Sequence, residues 1–255
     1  MSKFYNSMRT RNIFDPNDKK PFKLSRSKID LFLECPRCFY LDRRIGVGRP
    51  PGFPFNLNSA VDFLLKKEFD SYRTSGKPHP LIEQYGIDAR PVFLEDLEKW
   101  RHNFTGIQFL HEPTNLLIFG AIDDLWQNLK GEYIVVDYKA TSINEPITVL
   151  NKDHHRGYKR QMEIYQWLLR HNGLNVSDTG YFLYCNGRKD LDAFTGKLEF
   201  DMTLIPYKGN DDWVEDAIIE SHKCLTSDIL PNADIDCDYC AYREAAAKVI
   251  SKKIK

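Results

Sequence analysis

Asp123, Asp137 and Lys139 are the residues of this 255-residue chain whose types and spacing could do chemistry together. Asp137-Tyr138-Lys139 follows the apolar run Ile134-Val135-Val136. Side chains alternate along a strand, so Asp137 and Lys139 share one face while Tyr138 points into the opposite layer. Leu116 to Trp126 and Tyr133 to Ala140 are rich in β-branched and aromatic residues and flank the polar Asn128-Leu129-Lys130-Gly131, the pattern of two strands joined by a tight turn. A hairpin centred near Lys130 sets Asp123 opposite Asp137. A slip of one residue would turn Asp123 to the other side.

An acid in the middle of an apolar strand needs something to offset the cost of burying its charge. One answer is a divalent cation, Mg²⁺ or Mn²⁺, because both prefer carboxylate oxygens and a metal so held can bind a phosphate oxygen and lower the pKa of a water. Lys139 would then orient that water or neutralise charge developing on the phosphate. The other answer is a half-buried salt bridge in a sheet. Asp-x-Lys alone does not choose between them, since Asp18-Lys19-Lys20 has the same pattern in a segment with no strand signal.

The next helix, Gly157 to Arg170, adds to the constellation. Gln161 and Tyr165 stand four residues apart, on one helical face, and Gly173 is placed to close the helix. Gly120-Ala121-Ile122-Asp123, Asp137-Tyr138-Lys139 and Gln161-Met162-Glu163-Ile164-Tyr165, in that order, resemble the motifs G-x-x-D, D-x-K and Q-x-x-x-Y of the PD-(D/E)XK nuclease superfamily. The similarity is to the RecB-like branch that takes in the Cas4 and AddB nucleases, and it spans roughly residues 24 to 245. It implies a metal-dependent DNA nuclease in which Asp123, Asp137 and the Tyr138 backbone carbonyl hold Mg²⁺ or Mn²⁺. Lys139 positions the attacking water, and Gln161 and Tyr165 touch the strand or brace Lys139. It further implies single-stranded DNA ends as substrate, exonuclease over endonuclease action, and helicase or CRISPR-adaptation proteins as partner chains. A catalytically inactive nucleic-acid-binding or scaffold subunit is the alternative.

Where RecB-like relatives offer a metal-binding histidine from a preceding helix, this chain has Asp62, on a helix expected from Ser59 to about Tyr72. A carboxylate can replace imidazole on a hard ion; otherwise Asp62 only solvates a helix surface. Between the third strand and the Gln-Tyr helix lies NKDHHRGYKR, residues 151–160, with Lys152, Arg156, Lys159, Arg160 and two histidines. Such a run is either a solvated face or, beside the expected metal site, a contact for DNA phosphates.

Six cysteines fall into two groups. Cys35-Pro36-Arg37-Cys38 and Cys237-Asp238-Tyr239-Cys240 are C-x-x-C pairs near opposite ends of the chain, whereas Cys185 and Cys224 are isolated and read as small core residues. Four thiolates make a complete tetrahedral set for a metal. Cas4-like and AddB-like nucleases carry a [4Fe-4S] cluster on one N-terminal and three C-terminal cysteines, and Cys35, Cys237 and Cys240 match part of that arrangement, with Cys38 supplying the fourth ligand. The spacing is equally compatible with zinc.

Composition sets outer bounds. With 42% hydrophobic and 28% charged residues the chain reads as globular, and 36 basic against 36 acidic residues cancel, so any DNA contact must come from local patches. No apolar run approaches a membrane span, and the opening MSKFYNSMRTRN lacks a signal-peptide core, which points to the cytoplasm and away from membranes. The expected fold is α/β: a PD-(D/E)XK core with a mixed central sheet and flanking helices. The expected organisation is a loose arm over 1–23 and one domain over 24–255, its metal-centre lobe built from 24–45 and 227–250. The expected order is a helix from Leu24, a Pro/Gly connector over 46–58, the Asp62 helix and a helical stretch over Val92–Asn103. Strands at Thr105–His111, Leu116–Trp126 and Glu132–Ala140 precede the Gln-Tyr helix, strands at Gly180–Cys185 and Leu198–Tyr207 follow it, and a helix from Asp211 to about Thr226 comes last.

Overall fold

The computed structural model describes residues 11–52, 54–153 and 155–253, and it divides into two compact units. The larger, residues 54–109 and 119–211, carries the motif residues. The smaller gathers the described residues up to 52 with 110–118 and 212–253.

In chain order the strands are β1 (Phe22–Ser25), β2 (Ala89–Pro91), β3 (Ile107–His111), β4 (Leu116–Gly120), β5 (Asp124–Asn128), β6 (Tyr133–Thr141), β7 (Thr179–Gly187) and β8 (Phe200–Lys208). The helices are α1 (Arg26–Glu34), α2 (Pro36–Tyr40), α3 (Asn56–Ser75), α4 (Pro80–Gln84), α5 (Leu97–Arg101), α6 (His155–His171), α7 (Asp212–Thr226) and α8 (Asp238–Lys253). One three-stranded sheet has the order β1-β4-β3. A five-stranded sheet runs β2-β5-β6-β7-β8, with β6 and β7 parallel and the other pairs antiparallel.

The β6–β7 pair is parallel because α6 is the crossover between them, long enough to carry the chain back to the starting edge. Ile134, Val136 and Tyr138 of β6, with Trp126, Leu183, Cys185 and Leu204, form an apolar layer against Leu65 and Phe69 of α3 and Leu81 and Ile82 of α4. Alternation leaves Val135, Asp137 and Lys139 for the other face, which α6 covers. The helix comes close there because Gly180 has no side chain: a Cβ would meet Met162 Sδ and lie 2.9 Å from the Val135 carbonyl oxygen.

Several elements differ from their expected bounds. The stretch from Leu116 to Trp126 is two strands, interrupted at Ala121–Asp123. Only Leu97–Arg101 of the Val92–Asn103 stretch is helical, beginning after Asp96, whose side chain makes no capping hydrogen bond. The helix expected from Leu24 starts at Arg26, because Phe22–Ser25 pairs as β1, and it is broken at Cys35, whose extended backbone (φ −164, ψ 104) precedes Pro36. Of the arm expected over 1–23, residues 1–10 lie outside the described residues, while Phe14 is buried and meets Phe22 edge-on at 5.3 Å. Helix α8 has no counterpart in the expected order; its exposed, weakly patterned sequence hides it.

Candidate active site and thiol centre

The β5–β6 register pairs Asp124 with Val136 and Gln127 with Tyr133. One step further sets Asp123 opposite Asp137, as a hairpin centred on Lys130 requires. The interruption before β5 is held by α5. Trp100 O accepts the Ile122 amide at 3.2 Å, and Arg101 Nε donates to Asp123 O at 3.0 Å. Gly106, at φ +57, presses against the Gly120 backbone with its missing Cβ position 3.1 Å from Ala121 N, a position that any side chain would block. Asp123 is thus fixed from two sides, and its Oδ2 accepts the Tyr138 amide at 2.9 Å.

Asp137 is fully buried and ion-paired with Lys139. The Lys139 ammonium also donates to Gln161 Oε1 at 3.4 Å and lies 4.5 Å from the centre of the Tyr158 ring; Gln161 Nε2 in turn donates to Tyr165 Oη at 3.1 Å. A continuous path therefore runs Asp137, Lys139, Gln161, Tyr165. Burial works against the Lys139 charge, yet Asp137 and Asp123 beside it hold its pKa above the usual lysine value.

Asp62 belongs to the same neighbourhood. Lys66 donates to Asp62 Oδ2 at 2.8 Å and to Asp123 Oδ1 at 3.3 Å, so one ammonium bridges the two acids. Burial, then the charge on Asp123, pushes the Asp62 carboxyl up, the mark of crowded anions that a cation relieves. Hard oxygens on three elements and this excess of negative charge fit a divalent ion. Among the described residues, the three carboxylates do not all come within 4.8 Å of one another.

The basic cluster divides. Lys152 lines a cavity of about 300 Å³ with Lys139, His155, Tyr158 and Tyr184. At 100° per residue along α6, Arg156, Lys159 and Arg160 fall on the side away from Tyr158, Gln161 and Tyr165, and Lys159 lies 5.7 Å from the centre of the Tyr207 ring on β8. His154 lies outside the described residues. Sequence reasoning missed Tyr158 and Tyr184. The helical spacing of Tyr158 with Gln161 and Tyr165 was a usable signal for the first; nothing local marked the second.

In the smaller unit Cys35 and Cys237 stand just before α2 and α8, and Cys38 and Cys240 one turn inside them. Four buried thiols result, all within 4.8 Å of one another, with separations of 3.8 Å (Cys35–Cys240), 3.5 Å (Cys38–Cys237) and 3.7 Å (Cys38–Cys240). Arg243 Nη2 donates to Cys240 Sγ at 3.1 Å and Arg49 Nη2 to Cys237 Sγ at 3.7 Å. Burial pushes the Cys38 thiol up to about 12. It also works against the Cys237 thiolate, but the Cys240 backbone and the Cys38 and Cys35 thiols bring that pKa down to about 7. Cys185 is buried in the larger unit's core, and Cys224 is half-buried.

The PD-(D/E)XK nuclease superfamily model matches residues 64–245, which include Asp123, Asp137, Lys139, Gln161 and Tyr165. The chain belongs to the PD-(D/E)XK nuclease superfamily. Asp62, Cys35 and Cys38 fall outside the matched span. Among solved structures this superfamily member is similar to "Crystal structure of SSO0001", at 14% identity over 89% of this chain and 87% of that one, with a TM-score of 0.36. No curated protein matches it. Membership suggests a metal-dependent nuclease acting on nucleic acid, and no described helix is long and apolar enough to cross a membrane.

Proposed function

We propose that the protein is a RecB-like, Cas4-like DNA exonuclease that hydrolyses phosphodiester bonds at single-stranded ends in the cytoplasm. The observation that carries the reading is the facing of Asp123 and Asp137 with the Lys139 ammonium alongside. Asp123, Asp137 and the Tyr138 carbonyl, with Asp62 behind Lys66, would hold Mg²⁺ or Mn²⁺. Such an ion, when bound, supplies charge to a phosphate oxygen and lowers the pKa of a nearby water.

The remaining roles belong to the chain. Lys139, kept protonated by Asp137 and Asp123, holds a water by hydrogen bond and offsets negative charge growing on the phosphate. Gln161 and the Tyr158 ring fix where its ammonium sits, and Tyr165 fixes Gln161. The cavity next to Lys139 supports a single-stranded substrate. Tyr158, Tyr184 and His155 give it aromatic walls, and the Tyr184 hydroxyl is buried with no hydrogen-bond partner among the described residues, so an unstacked base could fill it, stack and satisfy that hydroxyl. Lys152, which also lines it, would meet a phosphate. The thiol centre, a [4Fe-4S] cluster in the resembled relatives or zinc, is structural in this reading, because the free energy of binding it becomes folding free energy.

Digestion of end-labelled single-stranded DNA with Mn²⁺ tests the proposal. Wild type should shorten the strand from an end while Asp137→Ala and Lys139→Ala do not; equal digestion by all three would reject the site. One observation favours a second reading, a binding subunit without catalysis: the Lys66 ammonium already bridges two of the carboxylates. Metal-independent DNA binding with no cleavage under any divalent ion would select it, and partner chains of a helicase-nuclease or CRISPR-adaptation complex would then supply the chemistry.

A further inference from the structure

We propose that the four cysteines hold a single tetrahedral zinc ion, and not the [4Fe-4S] cluster that the resemblance to Cas4-like nucleases implies. The sulfur separations carry this. Around one zinc, metal–sulfur bonds near 2.3 Å give a tetrahedron of thiolates with edges of about 3.8 Å. Three edges of the thiol cluster are 3.8, 3.5 and 3.7 Å, and no pair among the four exceeds 4.8 Å.

A cubane cluster asks for something else. Each cysteine binds a different iron and points outward from a core of four irons and four sulfides, so its sulfurs stand much farther apart than those around one ion. Four thiols drawn this close leave no room for that core between them.

The local backbone explains why they converge. Each C-x-x-C pair places one cysteine immediately before a helix and the other at its third residue, so both thiols of a pair leave the same end of the helix and chelate one point. The ligands are shared two and two between chain segments. The resembled clusters are shared one and three, and here residues 241–255 hold no cysteine. Arg243 and Arg49, each against a thiol, bring two positive charges to offset the net charge of four thiolates on a dication. That compensation would suit either centre, so the separations decide.

The test is independent of cleavage. Protein purified anaerobically, without added metal, is analysed for zinc, iron and acid-labile sulfide, and its visible spectrum is recorded. The expected result is one zinc per chain, no stoichiometric iron or sulfide, a colourless sample, and no change on ferricyanide treatment. Growth with Co²⁺ should give the visible bands of tetrahedral thiolate coordination. Iron and sulfide near four each per chain, with a brown colour that ferricyanide bleaches, would overturn the proposal. So would a folded, metal-free preparation whose melting temperature does not rise on zinc addition. Because loss of a ligand can unfold the unit, Cys38→His is the variant of choice: a zinc site accepts three thiolates and one imidazole, so the variant should retain one zinc per chain, and a folded variant without zinc would count against the assignment.

Discussion

Asp123 and Asp124 are neighbours in sequence and opposites in environment. Asp124 is completely buried, ion-paired with Arg73 and Arg101, and accepts from the Trp126 indole at 3.2 Å and the Tyr138 hydroxyl at 2.9 Å. Asp70 ties the same two guanidiniums from outside. Asp123, on the other face, retains 20% side-chain exposure and faces Asp137, Lys66 and Asp62. Two ways of keeping an acid in an apolar sheet sit side by side. Asp124 is compensated permanently by cations that cannot leave. Asp123 and its neighbours are compensated by lysine ammoniums, an arrangement that an exchangeable divalent ion can enter.

The strongest challenge to that contrast is Asp124→Ala. Leaving two guanidiniums buried without their acid should cost about 3–5 kcal/mol of stability, read by urea or thermal unfolding. Cleavage per folded molecule should change little. An Asp124→Ala protein as stable as wild type would mean that the two acids are not in different environments after all.

Asp123→Asn should do the reverse. It keeps the Tyr138 amide contact and removes charge from the candidate metal site, so cleavage should fall about 10²–10³-fold while stability moves by less than about 1 kcal/mol. Initial rates and melting curves on the same preparation decide it.

The pairing of the two faces was legible in the sequence, and the reason is local. Alternation along Ile134–Lys139 puts Asp137 and Lys139 on one face, and a turn taken as centred near Lys130 sets Asp123 opposite Asp137; that register was an assumption open to a one-residue slip, and the β5–β6 pairing has it. That Gln161 and Tyr165 share a helical face follows from their spacing; their part in a site was implied by the family resemblance. The interruption at Ala121–Asp123 went unread although Gly120, Ala121 and Asp123 are poor strand formers, because the apolar runs on either side read as one strand; what holds the break is tertiary, the grip of Trp100 and Arg101. Asp124 went unread for the same cause: its partners Arg73 and Arg101 are 51 and 23 residues away. The thiol centre shows the same limit. Paired C-x-x-C motifs announce a metal, but only sulfur separations distinguish one ion from a cluster.

A smaller effect sharpens the open face. The Tyr158 ring lies 4.5 Å from the Lys139 ammonium, a contact worth about 0.5–2 kcal/mol when desolvated. Tyr158→Leu should therefore lower kcat/KM by no more than about 30-fold, and Tyr158→Phe, which keeps the ring, should recover most of it. Loss as deep as that of Lys139→Ala would mean that Tyr158 does more than steady the lysine and stack a base.

The smallest expected effect concerns Asp62. Its carboxyl is raised by burial first and then by Asp123, so the folded protein holds that proton more tightly than the unfolded chain does. Where the folded state binds more protons, stability falls as pH rises, and the loss is complete once Asp62 has ionised in both states. Without divalent metal, Asp62→Asn should thus raise neutral-pH stability, by only on the order of a few tenths of a kcal/mol because the side chain is 37% exposed and screened. Adding Mn²⁺ should erase the difference, since a cation among these oxygens stabilises the charged acid that the asparagine lacks. Asp124, already matched by two guanidiniums, predicts the opposite sign: Asp124→Asn should destabilise with or without the ion. Two Asp→Asn changes shifting stability in the same direction, both indifferent to Mn²⁺, would erase the distinction between a sealed charge and an exchangeable one.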